Sequence, residues 1–144
     1  MIAIASAVVA LLVMMVAGLT LGAAYEFQVG HLNSSNLGEY VVAFLVAMPT
    51  AFALVIAVVY IPVVLSVRVV TSGAASPRAF GAACIVATPL AGLILLTVGS
   101  LVWGPPKSSV GQLIFNPTLL AMALGGLAFG LAFGQIDRRS RFLN

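Results

Sequence analysis

Charge is what this chain has least of. Among 144 residues only 6% are charged, with six Lys or Arg against three Asp or Glu. A soluble domain carries about 25%, so too little polar surface is present to cover a core in water. Cysteine and histidine occur once each. Cys84 lies inside an apolar run, which leaves no internal disulfide and makes it a small buried hydrophobe. His31 stands alone, which excludes a haem held by paired histidines of one chain. No Walker, Rossmann or zinc-protease pattern occurs, no convincing set of catalytic groups is present, and we expect a non-enzymatic protein without a cofactor.

What fills the chain instead is apolar: 62% hydrophobic residues and a mean hydropathy of +1.23. The length suits one domain. Four uncharged stretches run from Ile2 to Ala24, Tyr40 to Val67, Phe80 to Val102 and Thr118 to Ile136. Each reaches the ~20 residues a helix needs to cross the hydrocarbon core, where only helices and closed barrels satisfy their own backbone groups. The expected fold is all-α, a single transmembrane domain of four antiparallel up-down helices over about 2–29, 37–71, 77–102 and 117–137. A secretory signal is the weaker reading of the first run, despite the small residues of "LGAAYEF". No Lys or Arg precedes that run, and it exceeds the usual 7–15 apolar residues of such a segment.

Helix boundaries carry their own marks. "NLGE" sets Asn36 as N-cap with Glu39 at the capping-box spacing. "SPR" and "NPT" place Ser76 and Asn116 before a proline at the first helical position, Pro77 and Pro117. Gly30 is the expected stop of the first helix, so the first two helices form a hairpin closed by "GHLNSS". The sequon at Asn33 lies too near the membrane to weigh. The second helix is over-long, roughly 50 Å at 1.5 Å per residue against a core of ~30 Å. Pro49 and Pro62 are placed to kink it, and Pro89 does the same for the third. "VAMPTA" and "VATPLA" align Pro49 with Pro89 and hint at an inverted repeat. Prolines are common in membrane helices, and we read the echo as chance.

Basic residues assign the sides. Arg68 and Arg78 flank the second connection, Arg138, Arg139 and Arg141 lie in the tail, only Lys107 falls in the third connection and none in the first. The positive-inside rule then puts both termini in the cytoplasm. Tyr25, Phe27, Tyr40, Trp103 and Phe115 fall at the opposite boundary, where aromatic belts sit. The tail arginines anchor the cytoplasmic end on anionic headgroups and suit the negative end of the helix dipole, with Asp137 as a partner for one of them. This sidedness accounts for the net charge of +3 and gives no reason to invoke nucleic acid.

Glycine recurs every fourth residue in the last helix. At 100° per residue, Ala123, Gly126, Gly130 and Gly134 share one face, and Ala121, Gly125, Ala128 and Ala132 a second. Met122, Phe129 and Phe133 separate the two, and Leu120, Leu124, Leu127 and Leu131 suit lipid. Lipid tails are as apolar as leucine, so helices associate through close backbone approach over small residues. Two small faces imply two close neighbours: the first helix, through Ala7, Gly18 and Gly22, and either the third helix or another protein.

Ionisable groups inside the membrane mark ion paths in pumps and coupled transporters, and here the mid-helix polar groups are hydroxyls such as Thr50, Thr88 and Thr97. Their ordinary role is to bond a carbonyl one turn back. Glu26, His31 and Glu39 gather around the first turn as a possible outer polar cluster. Two carboxylates and an imidazole are ligands a divalent metal accepts, but the spacing matches no motif and we assign no metal. The expected function is an accessory, assembly or stabilising subunit in the membrane part of a larger complex. Its partners are the lipid bilayer and other membrane subunits or itself, in the cell membrane (the inner membrane, if bacterial). A small homo-oligomeric channel or transporter is the alternative and a membrane immunity protein the third.

Overall fold

The computed structural model describes residues 1–103 and 117–143. Asn116, Lys107, Phe115 and the side chain of Trp103 lie outside the described residues. Among the described residues the helices are α1 (Ile2–Gln28), α2 (Leu37–Val55), a π turn (Ile56–Tyr60), α3 (Ile61–Val70), α4 (Pro77–Trp103) and α5 (Pro117–Leu143). Four stretches are long and apolar enough to span a membrane: Ile2–Gln28, Leu37–Val70, Pro77–Val98 and Pro117–Leu143.

The bundle is arranged around α5, which packs along α1 on one side and α4 on the other. Its buried positions are small or aromatic: Ala121, Gly125, Gly126, Phe129, Gly130, Phe133 and Gly134 among them. Around it close Met14, Phe52, Val55, Val64, Phe80 and Cys84. Large aliphatic residues point outward instead, as with Ile4, Val8, Leu12 and Val16 on α1. That inversion is what lipid demands, since burying leucine gains little when the solvent is itself hydrocarbon.

Leu37–Val70 is continuous but not uniform. Pro62 has no N–H to give, and its ring would strike the carbonyl four residues back in a regular helix. The chain widens just before it, and the Ile61 N–H bonds to the Ile56 carbonyl, five residues earlier. Such π turns are rare and sit preferentially at functional sites. Pro49 and Pro89 stay inside α2 and α4.

The cap expected at Asn36 is made differently. Asn36 holds the N-cap position without a side-chain cap bond. Its Oδ1 accepts the Asn33 N–H at 2.7 Å, and its Nδ2 donates to the His31 carbonyl at 3.0 Å. Asn33 in turn accepts the N–H groups of Ser35 and Asn36 at 2.9 and 3.2 Å. Two asparagines occupied with each other leave Glu39 exposed, and no capping box forms. At the start of α4, Ser76 Oγ accepts the Ala79 N–H at 3.3 Å. α5 also continues past the end expected at 137. Arg141 reaches back four residues to Asp137 and Ser140 Oγ donates to the Asp137 carbonyl, so the charged tail is the helix's last turn rather than its sequel.

Candidate functional site

Among the described residues, the glycines that come closest to the backbone of a neighbouring helix lie on α5. A Cβ built on Gly130 would stand 2.5 Å from the Phe80 carbonyl carbon and oxygen and from the Gly81 nitrogen, all backbone. One turn on, a Cβ on Gly134 would meet Pro77 Cα at 2.5 Å, and one turn back, Gly126 faces Tyr60 Cζ at 2.8 Å. This face therefore belongs to α4 and the π turn, not to the first helix. Gly125 turns the other way and receives the Met14 side chain of α1. Ala128 and Ala132 are only half-buried.

The small residues of α1 divide between neighbours. A Cβ on Gly18 would stand 3.5 Å from Ala121 Cβ but also close to the Phe44 and Phe52 rings, while one on Gly22 would meet the Tyr40 hydroxyl at 2.5 Å. Ala7 lines a groove shared with residues of Ala53–Ile61. The leucine stripe divides as well. Leu120 and Leu124 are exposed, but Leu127 and Leu131, expected toward lipid, lie against Gly81. Helices cross at an angle, so a neighbour covers one end of a stripe and leaves the other open.

Tyr60 ends the π turn fully buried. Its hydroxyl donates to the Met122 carbonyl at 2.8 Å and lies 3.1 Å from Thr88 Oγ1. Thr88 Oγ1 lies 3.1 Å from the Cys84 carbonyl as well, so its single hydrogen is shared between that carbonyl and the Tyr60 oxygen. A buried phenol needs such partners, and these come from α4 and α5, so one side chain ties three spans together. Phe129 stacks on the ring at 6.3 Å, and Gly126 leaves room for it. Other hydroxyls bond one turn back: Ser6 to Ile2, Ser66 to Pro62 and Thr97 to Leu93, each at 2.8 Å.

At the end of the bundle where α3 and α5 finish, Asp137 is 3% exposed. Arg141 Nη2 donates to its Oδ2 at 2.8 Å, and Arg68 Nη2 lies 3.1 Å from Oδ1. The second contact has ion-pair distance without hydrogen-bond geometry, which leaves Oδ1 with no donor among the described residues. The Arg141 guanidinium rests on Gly73, which has φ +77° and no side chain to obstruct it. Arg138 and Arg139 are exposed, and Arg138 lies over the Phe142 ring at 6.0 Å. Arg78 follows Pro77, which touches Gly134. Sequence reasoning paired Asp137 only within its own tail and missed Arg68.

The first connection brings Glu26 and His31 together, Oε2 to Nδ1 at 3.1 Å, both near the surface. Glu39 does not complete a three-ligand group, and no such group occurs among the described residues. Compared with known families, curated proteins and solved structures, the chain matches none.

Proposed function

We propose that the chain is a non-enzymatic membrane subunit that supports the assembly or stability of a larger membrane complex. The observation that carries this reading is that the interior polar groups are satisfied within the bundle, by hydroxyls and backbone carbonyls of the same or a neighbouring span. Tyr60, Thr88 and Ser6 all end on hydroxyls or backbone carbonyls, and no ionisable carboxylate, amine or imidazole lies in the four apolar stretches. Such an interior is a scaffold. It offers neither the charged relay of a pump nor the acid and base of an enzyme.

The accompanying topology is an antiparallel up-down bundle with both termini cytoplasmic, a multi-pass protein of the cell membrane. Its support is the gathering of arginines at one end: Arg68 and Arg141 share Asp137, and Arg78 is next to the residue that Gly134 touches. Five arginines in the second connection and the tail, against Lys107 alone in the third connection, is the asymmetry that the positive-inside rule requires.

Purification of the full chain from its native membrane in mild detergent tests the role. A defined membrane protein should co-purify in fixed stoichiometry. A chain that always migrates alone, or that conducts solute in proteoliposomes, refutes the subunit reading. A thiol probe at Asn144 that reacts only from outside refutes the topology.

A further inference from the structure

Two features with capacity beyond their role in the bundle lie along the span Leu37–Val70. The first is an apolar groove of about 250 Å³ between α1 and the following span, lined by Ala3, Ala7, Leu11, Ala53, Ala57 and Ile61 among others. It exists because alanines stand on both walls, so the two helices leave a channel where larger side chains would have met. The second is the arginine pair on Asp137. Arg68 follows Ile61 by seven residues of continuous α-helix, which returns it to nearly the same side about 10 Å further along. Arg68 therefore stands two turns beyond the Ile61 end of the groove, on nearly the same side of the helix.

The pair has donors to spare. Each guanidinium carries five N–H groups, and the only hydrogen bond either makes among the described residues is Arg141 Nη2 to Asp137. The side chains remain 44% and 42% exposed. One carboxylate between two guanidiniums leaves a net positive charge, and holding both fixes the forks that match phosphate oxygens. Gly73 beneath Arg141 keeps that fork at the edge of the bundle.

We infer that this side of the protein binds one anionic phospholipid, with part of an acyl chain in the Ala7–Ala57 groove and the phosphate on Arg68 and Arg141. Apolar length and cationic end complement the two halves of that molecule. A zwitterionic lipid brings the acyl chain and a phosphate but offsets its charge with its own cation, and a soluble phosphate lacks the acyl chain. The inference shares the bilayer with the subunit reading but is independent of any protein partner.

The test titrates the full chain in neutral detergent with dioleoylphosphatidylglycerol, dioleoylphosphatidylcholine or glycerol phosphate, and counts adducts by native mass spectrometry. One phosphatidylglycerol should be retained at least about fivefold more tightly than phosphatidylcholine, the factor one interfacial charge supplies. Glycerol phosphate should not bind. Ala57→Phe, which fills the groove and leaves the charges alone, and Arg68→Gln should each remove most of that preference, while Val46→Phe on an exposed face should not. Equal retention of the two lipids overturns the inference, as does binding of glycerol phosphate that matches the lipid. Undiminished phosphatidylglycerol binding by Ala57→Phe also overturns it. Should a variant fail to fold, the three-ligand comparison on the unmodified chain still decides.

Discussion

Replacing Gly130 by alanine adds one methyl group, and the structure says where it goes. The new Cβ would lie 2.5 Å from three backbone atoms of Phe80 and Gly81. Carbon atoms rest at about 3.5–4.0 Å, so the α4 and α5 axes must part by roughly 1 Å at their closest point. No rotamer can relieve a clash with backbone. A radial gap of that size forfeits a quarter to a half of the dispersion well for each contact along the seam, and overpacking of this kind typically costs about 1–3 kcal/mol. Against this stands a helix-propensity gain of about 1 kcal/mol for alanine over glycine. Gly38→Ala isolates that gain, since a Cβ there meets nothing within 4 Å. Cys84 supplies the readout: it is the only cysteine and fully buried, so a thiol-reactive dye reports unfolding directly. The net is about 1 kcal/mol of destabilisation at the middle of these ranges, so Gly130→Ala should lower the Tm in detergent by about 3 °C, Gly130→Leu should abolish the folded state, and Gly38→Ala should be neutral or slightly stabilising. Gly130→Ala behaving like Gly38→Ala would falsify the close-packing argument.

The same dye assay checks three further expectations. Tyr60→Phe keeps the ring and loses the bonds to Met122 and Thr88, which should cost about 0.5–1.5 kcal/mol; no change would mean that the hydroxyl is incidental. The double variant Arg68→Gln/Arg141→Gln should destabilise more than Asp137→Asn. The former strands a buried carboxylate, whereas the latter frees two half-exposed guanidiniums to turn toward water; the opposite order refutes the reasoning. Gly73→Ala should destabilise, because φ +77° strains any L side chain and the Cβ would displace Arg141; parity with wild type would show that the turn adapts freely.

Sequence composition alone reveals the four spans, because twenty uncharged apolar residues have few other uses. The Ser76–Pro77 start of α4 was equally legible, since a hydroxyl followed by proline acts locally. Partnerships across helices were not. Periodicity says that Gly126, Gly130 and Gly134 share a face, but not that α4 rather than α1 covers it; that depends on crossing angles, which no single helix encodes. Asn36 and Glu39 had the spacing of a capping box, yet Asn33 competed for the same groups. Tyr60 left a trace that could have been followed. A phenol within an apolar run must find an acceptor, and Thr88 and a glycine-lined backbone were the available partners. Arg68 and Asp137 are far apart in sequence, and only the meeting of α3 and α5 joins them.

The π turn at Ile56–Tyr60 also sets a rule about length. It is in effect one surplus residue stored in a helix, and every position beyond it is rotated by about 100° relative to an uninterrupted helix. Deleting a single residue between Ile56 and Tyr60 would therefore restore regular geometry and leave the residues on both sides of the turn on the faces they now occupy. Closing the turn without removing a residue would instead swing Val64 out of the core and turn Arg68 away from Asp137. The register of α3 is therefore counted from that turn, and insertions or deletions tolerated in the connection at 71–76 would be costly only a few residues earlier.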